Sequence, residues 1–347
     1  MEDNEEAVLE DKSAGIVLTR AILHILDSST DTEIFSQQTL DLEKPEIQKY
    51  VYGHTRRCFN DLRSRHGTFL PDSPFQVLMH DFFHQRKDFE ETSGDAAGVL
   101  SAWLKEHPGA CLDVLAVDFR ADEVPYFGIM LLMNQSAWTH TTQMNGDKVA
   151  NSFAHQPILP SATRKLSSFC FVNLLNDEIL YTDETNWPDD TALLQDVLLH
   201  CTGKKSDQEV ISQMTQIANE VAQQYDENPS IAVSGIKRAV RTSAKEERPL
   251  AMEEAVEEAF AGYDHQEEMA AAFEQKRKEA EVPDALEVPK AAVVRKMKNQ
   301  KLKTDTGIEL SFPVEYFQNP DLIEFIKHED GTITIEIKHI GKILNRS

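Results

Sequence analysis

The stretch from Cys111 to Met133 constrains this chain more than any other. It reads CLDVLAVDFR, breaks at Ala121-Asp122-Glu123, and resumes as VPYFGIMLLM. Two apolar runs of strand length around a short charged turn predict a β-hairpin. On the second arm Phe127, Ile129, Leu131 and Met133 share one face, while Met130 and Leu132 share the other. Apolar side chains on both faces predict a strand in the middle of a sheet that is covered on both sides. The hairpin locates a core and carries no chemistry of its own.

The flanking segments supply the rest of that sheet and its cover. Gly15 to Leu26 (GIVLTRAILHIL) reads as a first strand and Ile34 to Leu42 (IFSQQTLDL) as a second. Pro45 opens a helix on which Ile47, Val51, Thr55, Cys58 and Leu62 recur at helical spacing. This helix is expected to carry Arg56, Arg57, Arg63 and Arg65 and to stop at Gly67. Ser73-Pro74 opens a second helix, Ser93 to Glu106 forms a third, and Asn145-Gly146 marks a later turn. Phe169 to Thr182 returns to a strand pattern on the same sheet.

Behind Trp187-Pro188 the texture becomes helical. Thr191–Leu199, Gln208–Tyr225, Ile231–Lys245, Met252–Phe260 and Glu267–Ala280 follow one another, with Val210, Met214, Ile217 and Val221 as one apolar stripe. Gly307–Phe312 and Thr332–Ile337 revert to strand character, and Asp330-Gly331 supplies a turn. Strands and helices in blocks indicate an α+β fold: an N-terminal mixed or antiparallel sheet with flanking helices, a helical middle, and a short β-rich end. The expected divisions are an acidic flexible terminus at 1–13, an α+β domain at 14–186, a helical region at 187–282, and a basic segment with the β-rich end at 283–347.

Composition bounds the function classes. A chain of 347 residues suggests about two domains and needs no disulfide or metal to fold. Its four cysteines, Cys58, Cys111, Cys170 and Cys201, are scattered without metal-ligand spacing, which suits a reducing cytoplasm. No signal-peptide pattern and no membrane-length apolar run occurs, so a soluble cytoplasmic protein is expected. The formal charge of -24 argues against indiscriminate adhesion to polyanions. It leaves room for a local basic site, because charges more than about 8 Å apart are screened at physiological salt.

The cations are unevenly spread. Residues 290–304 contain Lys290, Arg295, Lys296, Lys298, Lys301 and Lys303 and only an alternation of neutral residues between them, with no acid. Lys237, Arg238, Arg241 and Lys245 follow helical spacing and form a smaller cluster. Such clusters suit phosphate backbones, where neutralised phosphates release counterions. A solvated basic strand balancing Glu-rich helices is the plainer reading. The arginines of the first helix read as a solvated face or as salt-bridge donors.

Catalytic signatures are absent from the sequence. There is no phosphate-binding P-loop, no G-x-G-x-x-G after a strand, and no G-x-S-x-G elbow. His80 and His84 stand four apart on a predicted helix, but the zincin pattern needs Glu after the first His, and Asp81 stands there. His24 reads as a hydrogen-bonded core histidine. Asp113, Asp118 and Glu123 are the least poor choice for a two-metal nuclease site. No catalytic residue, cofactor or metal is assigned.

AILHILD, FSQQTLDL, PEIQKYVYGHTRRCFNDLR, the hairpin at 111–133 and the closing GIELSFPVEYF…DGTITIEIKHIGKI appear in an order that resembles the NdpA/YejK-type nucleoid-associated protein family of bacteria. The similarity runs from about Gly15 to the end. The resemblance implies a cytoplasmic, nucleoid-located protein that binds DNA without a known catalytic motif, and topoisomerases are among the partners it suggests. It supplies no site residues, so the DNA-binding expectation rests on the two basic clusters. A homodimer is expected to add avidity to one short basic run per chain. The alternatives are an acidic adaptor using Glu253, Glu254, Glu257 and Glu258 toward a basic partner, and a metal-dependent nuclease.

Overall fold

Cys111–Ala121 and Val124–Met133 pair as an antiparallel hairpin, with Asp122 and Glu123 both at positive φ in its two-residue turn. That turn geometry matches the right-handed twist of the arms. The computed structural model describes residues 15–27, 32–107, 111–184, 187, 191–288, 293, 299–313, 316, 319, 321–328 and 332–342. The expected acidic segment at 1–13 and the Asp330-Gly331 turn lie outside them. Two compact units divide the chain, Met1–Lys205 and Ser206–Ser347.

In the first unit the chain runs β1 (Val17–Asp27), β2 (Thr32–Ile34), α1 (Pro45–Phe59), β3 (Arg65–Phe69), α2 (Pro74–Phe83), α3 (Phe89–Glu106) and β4 (Cys111–Ala121). It continues as β5 (Val124–Met133), β6 (Gln135–Asn145), β7 (Lys148–Ile158), β8 (Ser168–Asn173) and β9 (Ile179–Asp183). A π-helical segment (Leu193–Leu199) and β10 (Cys201–Gly203) close it. Eight strands form one sheet in the order β10-β3-β9-β8-β5-β4-β1-β2. Its described pairings are antiparallel.

β5 lies inside that sheet and is buried on both faces, as its sequence requires. Phe127, Ile129 and Leu131 join Phe75, Met79, Phe82, Phe89, Leu100 and Leu104 of α2 and α3 in one core layer. Met130 and Leu132 face the opposite layer, with Val51 and Cys58 of α1 and Phe119, Phe169 and Phe171. Gly128 makes that second layer possible: a Cβ there would stand 2.4 Å from the Phe171 ring and 2.9 Å from Val117 Cγ2.

A bulge sets the faces of β1. Leu18 pairs with Phe119 and Arg20 with Asp118, so Thr19 is the extra residue. Ile16 and Leu18 before it, and Ala21 and Leu23 after it, therefore all reach the α1 layer. The same shift turns Arg20 to the other face, where it binds Asp118 at 2.7 Å and lies 5.0 Å from the Phe89 ring centre.

Two sequence expectations are corrected. Ile34 to Leu42 is not a second full strand: β2 ends at Ile34, and residues 35–42 continue without strand pairing, the Leu40 N–H donating to the Ala21 carbonyl of β1 at 2.7 Å. Their alternation reflects Leu40 and Leu42 packing on the α1 layer, while Ser36 bonds locally to the Gln38 carbonyl. The first helix stops at Phe59 rather than Gly67. The Asn60 side chain donates to the Arg56 carbonyl at 2.8 Å, and Asp61 accepts the Arg63 N–H at 3.1 Å. These local bonds compete with helix continuation, and Arg65 and Gly67 belong to β3.

The second unit begins with α4 (Asp207–Gln224), α5 (Pro229–Lys245), β11 (Leu250–Ala251), α6 (Met252–Phe260) and α7 (Gln266–Glu279). Ser206 and Glu209 form a capping box at α4, and the Val210, Met214, Ile217, Val221 stripe is buried. At Gly235 of α5 a Cβ would meet the Glu258 carbonyl oxygen of α6 at 2.2 Å, so only glycine permits this helix approach. Then follow β12 (Ala285–Leu286), β13 (Asn299–Lys303), β14 (Glu309–Pro313), β15 (Ile323–Lys327) and β16 (Ile333–Ile337). The architecture is α+β, with short strands at the C-terminal end. Trp187, Leu193, Leu194, Leu198, Leu199 and Cys201 pack into the core of the first unit, which ends at Lys205.

Candidate nucleic-acid interface

The smaller basic cluster stands on α5. Asn228 caps this helix by accepting from the Ser230 N–H at 3.0 Å, and Pro229 occupies its first turn. Ala232, Ile236, Ala239, Val240 and Ser243 form its buried face. Lys237, Arg238 and Arg241 flank that face and are half-buried. Arg238 forms an ion pair with Glu258 of α6. Burial pulls the Lys237 ammonium and the Arg238 guanidinium below their ordinary pKa values. These are cations whose stems belong to the packing of their own unit.

Of the larger cluster, Lys290, Arg295, Lys296 and Lys298 lie outside the described residues. Lys301 and Lys303 stand on β13, which pairs with β14 so that Lys301 lies opposite Ser311 and Lys303 opposite Glu309. Leu302, Leu310 and Phe312 occupy the other face and pack against Ile323, Phe325 and Ile335 of β15 and β16. The strand period thus drives both lysines into solvent on the far side from this small core. Lys303 Nζ is 3.3 Å from Glu309 Oε1, with both groups well exposed. The structure places Lys301 and Lys303 together on one strand face, and Lys237, Arg238 and Arg241 together on one helix.

Several charged or histidine side chains of the first unit have structural partners. Arg63 forms hydrogen bonds with Asp61, with the Leu166 carbonyl at 2.8 Å, and with Glu184. Arg57 Nε donates to the Ala162 carbonyl at 3.3 Å. His80 Nε2 lies 2.8 Å from Asp177 Oδ2, and His84 Nδ1 lies 2.8 Å from the His80 carbonyl. His24 is fully buried: it accepts the Ser36 N–H at Nδ1, so Nε2 carries the proton toward Ser93 Oγ at 3.0 Å. Burial lowers its pKa and keeps it neutral, the satisfied core histidine expected from its place in β1.

Asp113 and Asp118 do not converge. Five residues apart on an unbroken register, they point to opposite faces of the sheet. Asp118 binds Arg20, and Asp113 is buried in the α1 layer with Oδ1 lacking a protein hydrogen-bond partner. Glu123 is in the exposed turn. Among the described residues, no group of three or more His, Cys, Asp or Glu side chains is placed to hold a metal ion, and no helix is long and apolar enough to cross a membrane.

Sequence reasoning did not single out the ribbon of β6 and β7. These strands pair along eleven residues each, from Gln135↔Ile158 to Asn145↔Lys148. One face presents Trp138, His140, Met144, Val149, Phe153 and His155, with Trp138 68% and Phe153 78% exposed. A signal was present: between Val124 and Asn176 the sequence has one acid, Asp147, in a chain with 59.

No curated protein is significantly similar to the chain. A family model described as nucleoid-associated protein YejK matches residues 22–345, and on this match over most of its length the chain belongs to that family of nucleoid-associated proteins.

Proposed function

We propose that this protein binds DNA in the nucleoid, without catalysis, by gripping the phosphate backbone with little regard to sequence. The observation that carries the reading is the concentration of six cations, and no acid, in residues 290–304 of a chain with net charge -24. The described part of that run supports it: Lys301 and Lys303 project to solvent from β13. The Lys303–Glu309 pair is exposed and therefore weak, about 0–1 kcal/mol, so a phosphate can displace the carboxylate. Lys237, Arg238 and Arg241 support the reading less, since they are half-buried and Arg238 already has a carboxylate partner. They serve as an auxiliary contact.

The test is a gel shift on unrelated DNA fragments of equal length. Wild type should retard all of them with similar affinity. The quadruple variant Arg295→Glu, Lys296→Glu, Lys298→Glu, Lys301→Glu should lose the shift while keeping its circular dichroism spectrum. Undiminished binding by that variant would place the contact elsewhere.

An adaptor role toward a basic, DNA-processing partner such as a topoisomerase is a second reading. It is favoured by Glu253 and Glu257, exposed one turn apart on α6, whereas Glu254 and Glu258 are engaged by Arg248 and Arg238. Pull-down from nuclease-treated lysate separates the readings, since only an adaptor retains its partner without nucleic acid. Two copies of the basic run would raise avidity, so a homodimer belongs to the DNA-binding reading.

A further inference from the structure

The β6–β7 ribbon has two long outer edges, and among the described residues its strands pair only with each other. A lone two-stranded ribbon is marginally stable in water. Here it also holds Trp138, Met144, Val149 and Phe153 largely in solvent. Its two edges are not equivalent. β7 carries Lys148 at one end and Pro157 near the other, the usual guards against edge pairing. β6 (QSAWTHTTQMN) has no Lys, Arg, Asp, Glu or Pro and is rich in β-branched threonine. An unguarded edge of this length is a template for another strand.

Charge selects the occupant. DNA requires cations at the contact, and the ribbon offers only Lys148, beside Asp147. A second copy of this chain is itself strongly anionic, so two copies approach most easily where acids are absent. The stretch from Val124 to Asn176 meets that condition, with one acid against Lys148, Arg164 and Lys165. We propose that two copies join by antiparallel pairing of their β6 edges about a twofold axis, making a four-stranded sheet in the order β7-β6-β6-β7. This deepens the homodimer part of the proposed function by naming its interface.

The turn fixes which groups face outward. Gly146, at φ 64°, occupies the first central position of the two-residue turn, and Asn145 and Lys148 close it as a hydrogen-bonded pair. By alternation, the odd-numbered residues of β6 bond inward to β7, and Ser136, Trp138, His140, Thr142 and Met144 turn their N–H and C=O groups outward. The register with Thr141 on the axis brings Trp138 against Met144 across it, a favourable sulfur–aromatic contact. Thr141 then meets its own copy as a non-hydrogen-bonded pair with Cα atoms about 4.5 Å apart. That spacing is within disulfide reach.

Sedimentation of the nuclease-treated full-length chain tests the proposal. Wild type should be a dimer at micromolar concentration. His140→Pro removes one outward N–H per copy and leaves the inner ladder intact, so dimerisation should weaken about 100-fold, roughly tenfold for each copy. Should that variant fold poorly, single cysteines placed in turn at 139 to 142 provide an independent reading under an added oxidant. Thr141→Cys should form an intermolecular disulfide, while the wild-type chain and Asn151→Cys on β7 should not. A disulfide at any of the four β6 positions supports the edge pairing. A monomeric wild type, a dimer formed only with DNA, a dimer that His140→Pro leaves unchanged, or a scan in which no β6 cysteine crosslinks would overturn it. A monomer that still shifts DNA removes this interface alone; a dimer that fails to shift DNA removes the DNA-binding reading alone.

Discussion

Replacing Asp113 with asparagine should stabilise the first unit at neutral pH and leave it nearly unchanged in acid. Asp113 sits on β4 between Ile25 of β1 and Leu132 of β5, 6% exposed, with Oδ1 lacking a protein donor. Burial first, and the negative charge of Asp27 second, push its carboxyl up from 3.8 to about 6. The fold therefore prefers the protonated acid. Relative stability is greatest below the unfolded value near 3.8, declines as pH rises toward about 6, and is flat above that. The gap of about two pH units corresponds to about 3 kcal/mol. Asp113→Asn keeps the shape and removes the charge, so the variant should exceed wild type by about 2–3 kcal/mol at pH 7.5 and by less than about 1 kcal/mol at pH 4. All three tryptophans, Trp103, Trp138 and Trp187, lie in the first unit, so their fluorescence reports its unfolding in urea. With a denaturant slope of about 2–3 kcal/mol/M, the midpoint at pH 7.5 should rise by about 1 M. A stability difference that stays constant between pH 4 and pH 7.5 would refute the assignment of a raised carboxyl to Asp113.

Packing makes two further predictions. Gly128→Ala drives a methyl into the Phe171 ring and Val117, and should lower first-unit stability by about 1–3 kcal/mol on the same fluorescence assay. Unaltered stability would mean that this layer has slack the structure does not show. Gly235→Ala sets a Cβ against the backbone of Glu258 and Ala259, where no side chain can swing away. It should cost about 2 kcal/mol or more and be visible as earlier loss of helical circular dichroism on heating. A melting curve identical to wild type would contradict the close approach of α5 and α6.

The parts of the fold legible in the sequence were those where burial writes a strong period. β5 carries large apolar side chains on both faces, which only a covered interior strand tolerates. α2 and α4 declare themselves through a serine cap followed by an apolar stripe. Segments that side chains terminate or tie down locally were misread. Asn60 and Asp61 stop α1 with their own hydrogen bonds, an effect that apolar spacing does not encode. Leu40 and Leu42 imitate strand alternation from a loop that packs on the α1 layer. The β6–β7 ribbon escaped because its faces are exposed: threonines, amides and isolated aromatics produce no buried period. Its signal was compositional, the near absence of acids.

The basic clusters show the complementary limit. Sequence gives the number and spacing of cations, but their availability depends on what folds beside them. Arg238 finds Glu258 twenty residues further on, across a helix contact made possible by Gly235. Lys301 and Lys303 are kept outward because Leu302 is drawn inward with Leu310 and Phe312. The same reasoning separates Asp113 from Asp118: both are acids of one strand, yet strand geometry sends them to opposite core layers.

The central claim, a concentrated cationic grip on an acidic molecule, is tested most directly by measuring DNA affinity across a salt series. If all six cations of residues 290–304 meet phosphates, the logarithm of the binding constant should fall against that of salt concentration with a slope near about -5. The four-residue charge reversal should flatten this slope as it weakens binding. Affinity that is indifferent to salt, or absent even at low ionic strength, would contradict the claim.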